Sequence, residues 1–365
     1  MSTKTVRVLV LMCSSRPGAR GPAVAEWLAE TVAPRAAELG VELVPVALRD
    51  LGLPFLDEED EPASGVYRHE HTKRWSATVD AADGFIAVTP EYNYGMPAIL
   101  KNALDYLGRE WAWKPMGFVS YGNTSAGTRS VQHAKQVVTT LRLVPLGATL
   151  ALRIGDTMEN GRVRPDAGRA AIAVGVLDEL VRVARALRPL REQARSQPGP
   201  LPGSYVRELT PGDAGEVLVL QRCCWMEEAL ANDTLAVPAL GESLERVGAW
   251  LATWHTTGLW QDGRLLGMVR ARRVDDDWHV GRLGVVPDLR GRGVGRWLLG
   301  RAEAAAEAGC RRFVLRTGAE SRRNLALYHA QGYRTESSDG ATAFLTKPVP
   351  AHEPVPAAGQ PPVVA

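Results

Sequence analysis

Apolar residues in the first half of the chain gather in short dense runs separated by stretches of helical spacing. Residues 6–12, V-R-V-L-V-L-M, read as a central parallel strand, and 22–38 as a helix with Ala25, Leu28, Ala29 and Val32 on one face. Residues 43–48 predict a second strand and 67–81 a helix. The unbroken run 84–88 is another buried strand. After it Ile99, Leu100, Ala103, Leu104 and Leu107 fall at helical spacing, with Pro97 suited to the first turn and Gly108 to a left-handed stop. Strands over 116–121 and 149–153, with helices over 129–141 and 168–187, complete the pattern. Five strands alternating with five helices predict an α/β fold: a doubly wound, five-stranded parallel sheet.

The pattern breaks at 196–204, S-Q-P-G-P-L-P-G-S, which has almost no apolar side chains and reads as an exposed linker. This divides the chain into domains at 1–195 and 205–348, and 349–365, rich in Pro, Ala and Val, is expected to be a disordered tail. In the second domain, 205–209 predicts a strand and 214–230 a helix. Residues 258–261 and 264–272 form a hairpin about Asp262-Gly263. A strand ending near Val286, a helix over 296–308, a strand over 312–317 and a short helix from Asn324 to Gly332 follow.

Composition narrows the function. The 365 residues carry 43 basic and 41 acidic side chains, a formal charge of +2, so nothing global points to nucleic acid, and small-molecule substrates are expected. No stretch of about 18 uninterrupted apolar residues suggests a membrane span, and residues 1–10 lack a signal-peptide core. Four cysteines without C-x-x-C spacing argue against a disulfide framework or thiolate metal site, and a reducing cytoplasm is the expected compartment. His69-Glu70-His71 lacks further ligands, so no metal is expected, and the acidic run 57–61 reads as a solvated loop.

Three loops at strand carboxyl ends carry the chemistry of the first half, where open α/β sheets bind ligands. Residues 13–21 bring Ser14, Ser15, Arg16, Arg20 and Gly21 to a helix N-terminus, where free N–H groups and the helix dipole favour a phosphate. Residues 89–97 bring Pro90, Glu91, Tyr92, Asn93 and Tyr94. Backbone amides and Asn93 there can follow the edge of a flat polar ring, with Tyr92 or Tyr94 against its face, as a flavin requires. Residues 122–128 add a second loop of glycine and hydroxyls. The run P-E-Y-N-x-x-x-P-A-x-L-K-N-A-L-D at 90–105 closely resembles the NAD(P)H-dependent FMN reductase family of flavodoxin-like proteins, over roughly residues 5–190. The resemblance implies FMN and NAD(P)H as cofactors. It places Ser14 and Arg16 on the family's G-S-x-R phosphate loop, with Cys13 where glycine is usual, and Tyr121, Gly122 and Ser125 beside the flavin ring. Related reductases often complete the flavin site at a dimer interface, which makes a homodimer through this domain an expectation, and a partner oxygenase is one recipient of reduced flavin.

The second half centres on 280–295, V-G-R-L-G-V-V-P-D-L-R-G-R-G-V-G, where glycines lead from a strand into a helix. Arg296 stands where a dinucleotide fingerprint needs glycine. Instead Arg290-Gly291-Arg292-Gly293-Val294-Gly295 resembles the R/Q-x-x-G-x-G/A pyrophosphate loop of GNAT acetyltransferases, over residues 205–347, and implies acetyl-CoA, with Leu283 and Val285 pairing the pantetheine arm. Residues 324–333 resemble that family's N-x-x-x-Y-x-x-x-G-Y ending, which puts Asn324 on the cofactor and makes Tyr328 the acid that protonates the departing thiolate. Glu227, Glu228, Asp277 and His279 are all candidates for a general base, and none is singled out. Cys223 to Met226 read as helix core, and Trp250, Trp254 and Trp260 chiefly as packing, with the lining of an acceptor pocket as the alternative.

The expectation is a two-domain enzyme that joins flavin-dependent reduction of a quinone, nitro compound or free flavin to N-acetyl transfer. In one alternative a half of the chain is only a binding, dimerisation or sensor module. In another, a nitro or N-oxide group is reduced and the resulting amine acetylated.

Overall fold

The computed structural model describes residues 5–231 and 234–350, and the chain divides into two compact units, Met1–Arg195 and Ser196–Ala365. In the first unit, β1 (Val6–Met12) leads through α1 (Gly21–Leu39), β2 (Val41–Ala47), α2 (Glu70–Asp80), β3 (Gly84–Pro90), α3 (Ala98–Asp105), β4 (Pro115–Gly122) and α4 (Thr128–Thr140) to β5 (Val144–Arg153). One turn of helix, α5 (Ile154–Thr157), and a small hairpin, β6 (Met158–Glu159) with β7 (Arg162–Val163), precede α6 (Ala167–Arg195).

The five strands are parallel in the order β2-β1-β3-β4-β5. Alternation along β1 sends Val6, Val8 and Val10 into the core under α1 and α6, and Leu9 and Leu11 into the core under α2, α3 and α4. Both faces are buried, which is why the strand reads as an almost continuous apolar run. The chain leaves β1 for β2 on one side and later enters β3 on the other, so a crevice opens between the carboxyl ends of β1 and β3. Helix α6 continues past the expected stop at 187 because its last turns are anchored. Arg191 is buried there and donates to Asp83, Trp113 O and Ala184 O. The run 57–61 is not simply solvated. Asp57 accepts from Tyr106 and pairs with His71, and Glu58 accepts the amides of Arg68 and His69 ahead of α2.

The second unit runs β8 (Gln197–Pro198), β9 (Tyr205–Glu208), α7 (Ala214–Ala231), α8 (Leu244–Leu251), β10 (His255–Gln261), β11 (Arg264–Val274), β12 (Asp277–Val285), α9 (Val294–Ala304), β13 (Arg312–Gly318), α10 (Arg322–Ala330), β14 (Arg334–Ser338) and β15 (Thr342–Pro348). Its sheet has the order β14-β15-β13-β12-β11-β10-β9-β8, antiparallel apart from the β12–β13 pair. Residues 196–204 are therefore not a free linker. Gln197 and Pro198 pair with Val206 and Tyr205, and Gly199 N–H donates to Ser204 O. Proline is tolerated because β8 is an edge strand, and the pairing covers Tyr205 and Val206, both buried. The expected tail lies outside the described residues from 351 onward, and the amide of Val349 still donates to Arg311 O.

β12 decides the geometry of the second site. Its register with β11 continues to Val285, whereas its register with β13 ends at Val280–Leu315. Arg282, at φ +49°, lies at the irregularity in the β11 pairing. The two parallel strands thus part, and the end of β12 is left available to an extended ligand.

Candidate functional sites

In the first unit the three expected loops converge at the carboxyl edge of the sheet. α1 begins at Gly21 with no side-chain cap on its amides and no acidic residue in its first turn, while Arg16 and Arg20 stand at its entrance. Its free N–H groups and two guanidiniums form a donor set suited to a phosphate. Cys13 does not obstruct it: the side chain packs in the core, its thiol donates to Leu11 O at 3.2 Å, and burial pushes its pKa up. Ser14 is also buried, and its hydroxyl shares a 2.6 Å hydrogen bond with Tyr92 OH, which ties the 13–21 loop to the 89–97 loop. Tyr121, at the end of β4, holds its hydroxyl over Gly21, where an added Cβ would come within 3.1 Å of it.

The 89–97 loop is a tight turn. Tyr92 and Gly95 exchange two backbone hydrogen bonds, and the residues between them, Asn93 and Tyr94, have φ of +48° and +67°. A tyrosine in the left-handed region costs roughly 1–2 kcal/mol. It is held by its surroundings: the Arg129 guanidinium lies 4.1 Å from the centre of the Tyr94 ring. Backbone strain of this kind is concentrated at functional sites, where it preorganises a loop.

Glu91 and Ser125 read from sequence as cofactor contacts, and the structure bonds them to each other. Glu91 accepts from Ser125 Oγ at 2.6 Å, Arg129 N at 3.1 Å and Arg129 Nη1 at 3.1 Å. Burial raises its pKa, but these donors outweigh burial and hold the carboxyl below its ordinary value. The pair fastens the 89–97 loop to the 122–128 loop. Gly127, at φ +84°, makes the return possible, since a Cβ would lie 2.9 Å from Ser120 Cβ and from Tyr121 N and O. Sequence reasoning missed Arg129, although its place two residues after a glycine at a helix start is the kind of position from which a side chain reaches back over a loop. Pro90 ends β3, and Gly122 ends β4 beside Gly127 N.

In the second unit a cavity of about 450 Å³ opens where β12 and β13 separate. Leu283, Val285, Arg290, Gly291, Gly293, Val294, Gly295, Asn324 and Tyr328, all expected on sequence grounds, line it together, whereas Arg292 does not. Gly291 and Gly293 have φ of +78° and +81°, which favour glycine, and Gly293 caps α9 with no side-chain bond and no acid in the first turn. Bare amides at that helix start suit a pyrophosphate. Arg290, expected on the ligand, already has partners at the cavity wall: it is paired with Glu227 and donates to Cys224 O at 3.0 Å, and both of those residues line the cavity too. Asn324 Nδ2 donates to Thr317 Oγ1 at 3.3 Å. Tyr328 is buried, edge-on to Tyr333 with 6.0 Å between ring centres.

Of the base candidates, Asp277 is held by two bonds from Arg312, and it and His279 lie toward the opposite end of β12. Glu227 lines the cavity, and the Glu228 side chain lies outside the described residues. Residues 223–226 are not uniformly core, because Cys223 and Met226 are exposed while Cys224 and Trp225 line the cavity. Glu320, Ser321, Arg322 and Arg323, ahead of and opening α10, also line it and were not foreseen. Their placement just N-terminal to Asn324 was the available signal. Trp260 is buried, and Trp250 and Trp254 lie against Arg270.

These features define a flavodoxin-like reductase unit followed by an acetyltransferase-type unit. Residues 6–156 match the NADPH-dependent FMN reductase family, and residues 225–333 match the acetyltransferase (GNAT) family. An NAD(P)H-dependent FMN reductase of Schizosaccharomyces pombe is 36% identical over 190 residues, covering 52% of this chain and 86% of that protein. A quinone reductase of Escherichia coli K12 is 32% identical over 192 residues, covering 49% of this chain and 92% of that protein. The chain belongs to the NAD(P)H-dependent FMN reductase family and carries a GNAT acetyltransferase domain in its second half. Among solved structures, the PaiA N-acetyltransferase of Thermoplasma acidophilum, in complex with coenzyme A, is 17% identical, with a TM-score of 0.33, covering 40% of this chain and 98% of that one. Among the described residues no helix is long and apolar enough to cross a membrane.

Proposed function

We propose that the first unit holds FMN and reduces a small acceptor such as a quinone at the expense of NAD(P)H, and that the second transfers an acetyl group from acetyl-CoA to a small amine. The observation that carries the first reading is the convergence of an uncapped, arginine-flanked helix start with a strained aromatic turn at one sheet edge. Bound FMN supplies a ring that takes up hydride and releases electrons to an acceptor. The residues of this chain bind and orient it. Arg16, Arg20 and the α1 amides take the phosphate, and the Tyr92–Gly95 turn lies along the ring, held in place by Glu91, Ser125 and Arg129.

The second reading rests on Tyr328 sharing one cavity with the glycine loop and the open end of β12. The α9 amides and the glycine backbone receive the pyrophosphate, and Leu283 and Val285 hold the extended arm. The acceptor amine attacks the thioester carbonyl, the carbon–sulfur bond breaks, and Tyr328 donates its phenolic proton to the departing sulfur while the amine loses its own proton to water. One experiment on the full chain tests both readings: an absorption spectrum for flavin, NADPH oxidation with a quinone, and thiol release from acetyl-CoA with a panel of amines. Absence of flavin uptake would end the first reading, and absence of thiol release across the panel would end the second.

A further inference from the structure

On the face of the second sheet covered by α7 and α8, Arg270 and Arg282 lie near one carboxylate, which bonds only Arg282, and the exposed Arg272 lies beside Arg270. Arg282 Nη2 donates to Glu242 Oε1 at 2.6 Å, and the other Glu242 oxygen is taken by Gln221 Nε2 at 2.7 Å and Trp250 Nε1 at 3.3 Å. Arg270 lies 4.5 Å from the Trp250 ring centre and 4.2 Å from that of Trp254, and Arg272 lies 4.4 Å from Trp254. Burial, and after it the charges of Arg282 and Arg272, oppose the charge on Arg270 and pull its pKa down to about 10, while Glu242 favours it. The Nε atoms of Arg270 and Arg282 are buried and make no hydrogen bond among the described residues. The cluster therefore keeps positive charge and N–H groups beyond what Glu242 satisfies, a costly arrangement without a further anion.

Its position gives that surplus a use. Arg282 directly precedes Leu283 and Gly284, which line the cavity, and lies 6.0 Å from the ring of Trp225, another lining residue. A Cβ on Gly284 would meet Trp225 at 2.9 Å, so this wall of the cavity faces α7, as the arginine cluster does. The glycine loop and α9 lie beyond the opposite end of this stretch of β12.

Resting on the acetyl-transfer reading, we propose that the acceptor amine carries a carboxylate, ionised at neutral pH as in a free amino acid, and that Arg270 and Arg282, assisted by Arg272, bind it. An arginine flanked by two indoles presents the edge of its planar fork, and a planar carboxylate meets that edge with two parallel bonds. Docked there, the acceptor has its charged end at Arg282 and its amine directed toward the cavity that Tyr328 lines.

The test compares matched acceptors on the full chain: amino acids against their carboxamides, and phosphoethanolamine against ethanolamine. The expected result is kcat/KM for the acid about tenfold to about hundredfold above its amide, the range for a charged hydrogen bond. Arg282→Gln and Arg270→Lys should collapse that ratio while the KM for acetyl-CoA stays within about twofold. Equal rates for acid and amide would overturn the proposal, and a preference confined to phosphoethanolamine would overturn the carboxylate assignment. Binding is read independently from the fluorescence of Trp250 and Trp254. If no amine is turned over, saturable binding of the acids but not the amides still supports the subsite while acetyl transfer fails, and absence of binding overturns it. Should a variant fail to fold, the wild-type acid-to-amide ratio decides.

Discussion

Glu91→Ala removes the carboxylate that joins the two loops of the proposed flavin site. Two of its three bonds come from Ser125 Oγ and the Arg129 amide, charge-assisted contacts of about 1.5 kcal/mol or more each. The third comes from an Arg129 side chain that is half exposed, so it adds less than about 1 kcal/mol. Allowing the released hydroxyl to turn to water, the loss is about 2–4 kcal/mol. At roughly 2–4 °C per kcal/mol for a unit of this size, the first melting transition should fall by roughly 5–15 °C. The loops would then have to be ordered by the flavin, and an ordering cost of about 1.4 kcal/mol raises the FMN Kd about tenfold. Glu91→Gln keeps an acceptor but loses the charge, so it should lie between wild type and Glu91→Ala. The folded pKa of Glu91 is depressed, so its contribution is complete above the unfolded value near ~4.3 and disappears as pH falls through the folded value. The melting difference between wild type and Glu91→Gln should therefore narrow in that acidic range. Scanning calorimetry and flavin titration read both effects. An unchanged melting temperature and unchanged FMN affinity in Glu91→Ala would refute the clamp, and a lower melting temperature with unchanged affinity would confine it to stability.

Other outcomes follow from the same geometry. Arg16→Ala should weaken FMN binding by about 1.5–3 kcal/mol, measured by flavin fluorescence, and unchanged affinity would remove Arg16 from the phosphate site. Gly127→Ala combines a left-handed backbone with a Cβ 2.9 Å from backbone atoms, so it should lower stability by about 2–4 kcal/mol, and a melting temperature equal to wild type would show that the loop relaxes. Tyr328→Phe keeps the ring packed while removing the proton, so kcat for acetyl transfer should fall about 10²-fold to 10⁴-fold with acetyl-CoA affinity nearly unchanged. Normal turnover in a folded variant would reject the acid role. Fragments 1–195 and 196–350 should fold separately, each with its own ligand, and the second should be more stable than a fragment starting at 204, which lacks β8.

The sequence alone determined the parts whose physics is local. Apolar spacing located most strands and most helices, because buried parallel strands and amphipathic helices carry periods of their own. Glycines at 291 and 293 and the wording of 90–105 marked the loops, since backbone conformation and helix starts constrain nearby residues. α8 and the strands after 333 escaped notice, being short and made stable by packing and pairing rather than by a strong period. Proline and glycine announced the exposed boundary at 196–204, and the units do divide at 195/196, but only a partner at 205–206 makes the edge strand there. What tertiary structure decided was direction. Glu91 lies 34 residues from Ser125, Arg290 lies 63 from Glu227, and Arg282 lies 40 from Glu242. A charged side chain turns toward whichever partner the fold brings within reach, and no local pattern encodes that partner. The loops were therefore legible in the sequence, while the clamp across them, the pairing of Arg290 with Glu227 and the arginine cluster beside the cavity were settled only by the folded chain.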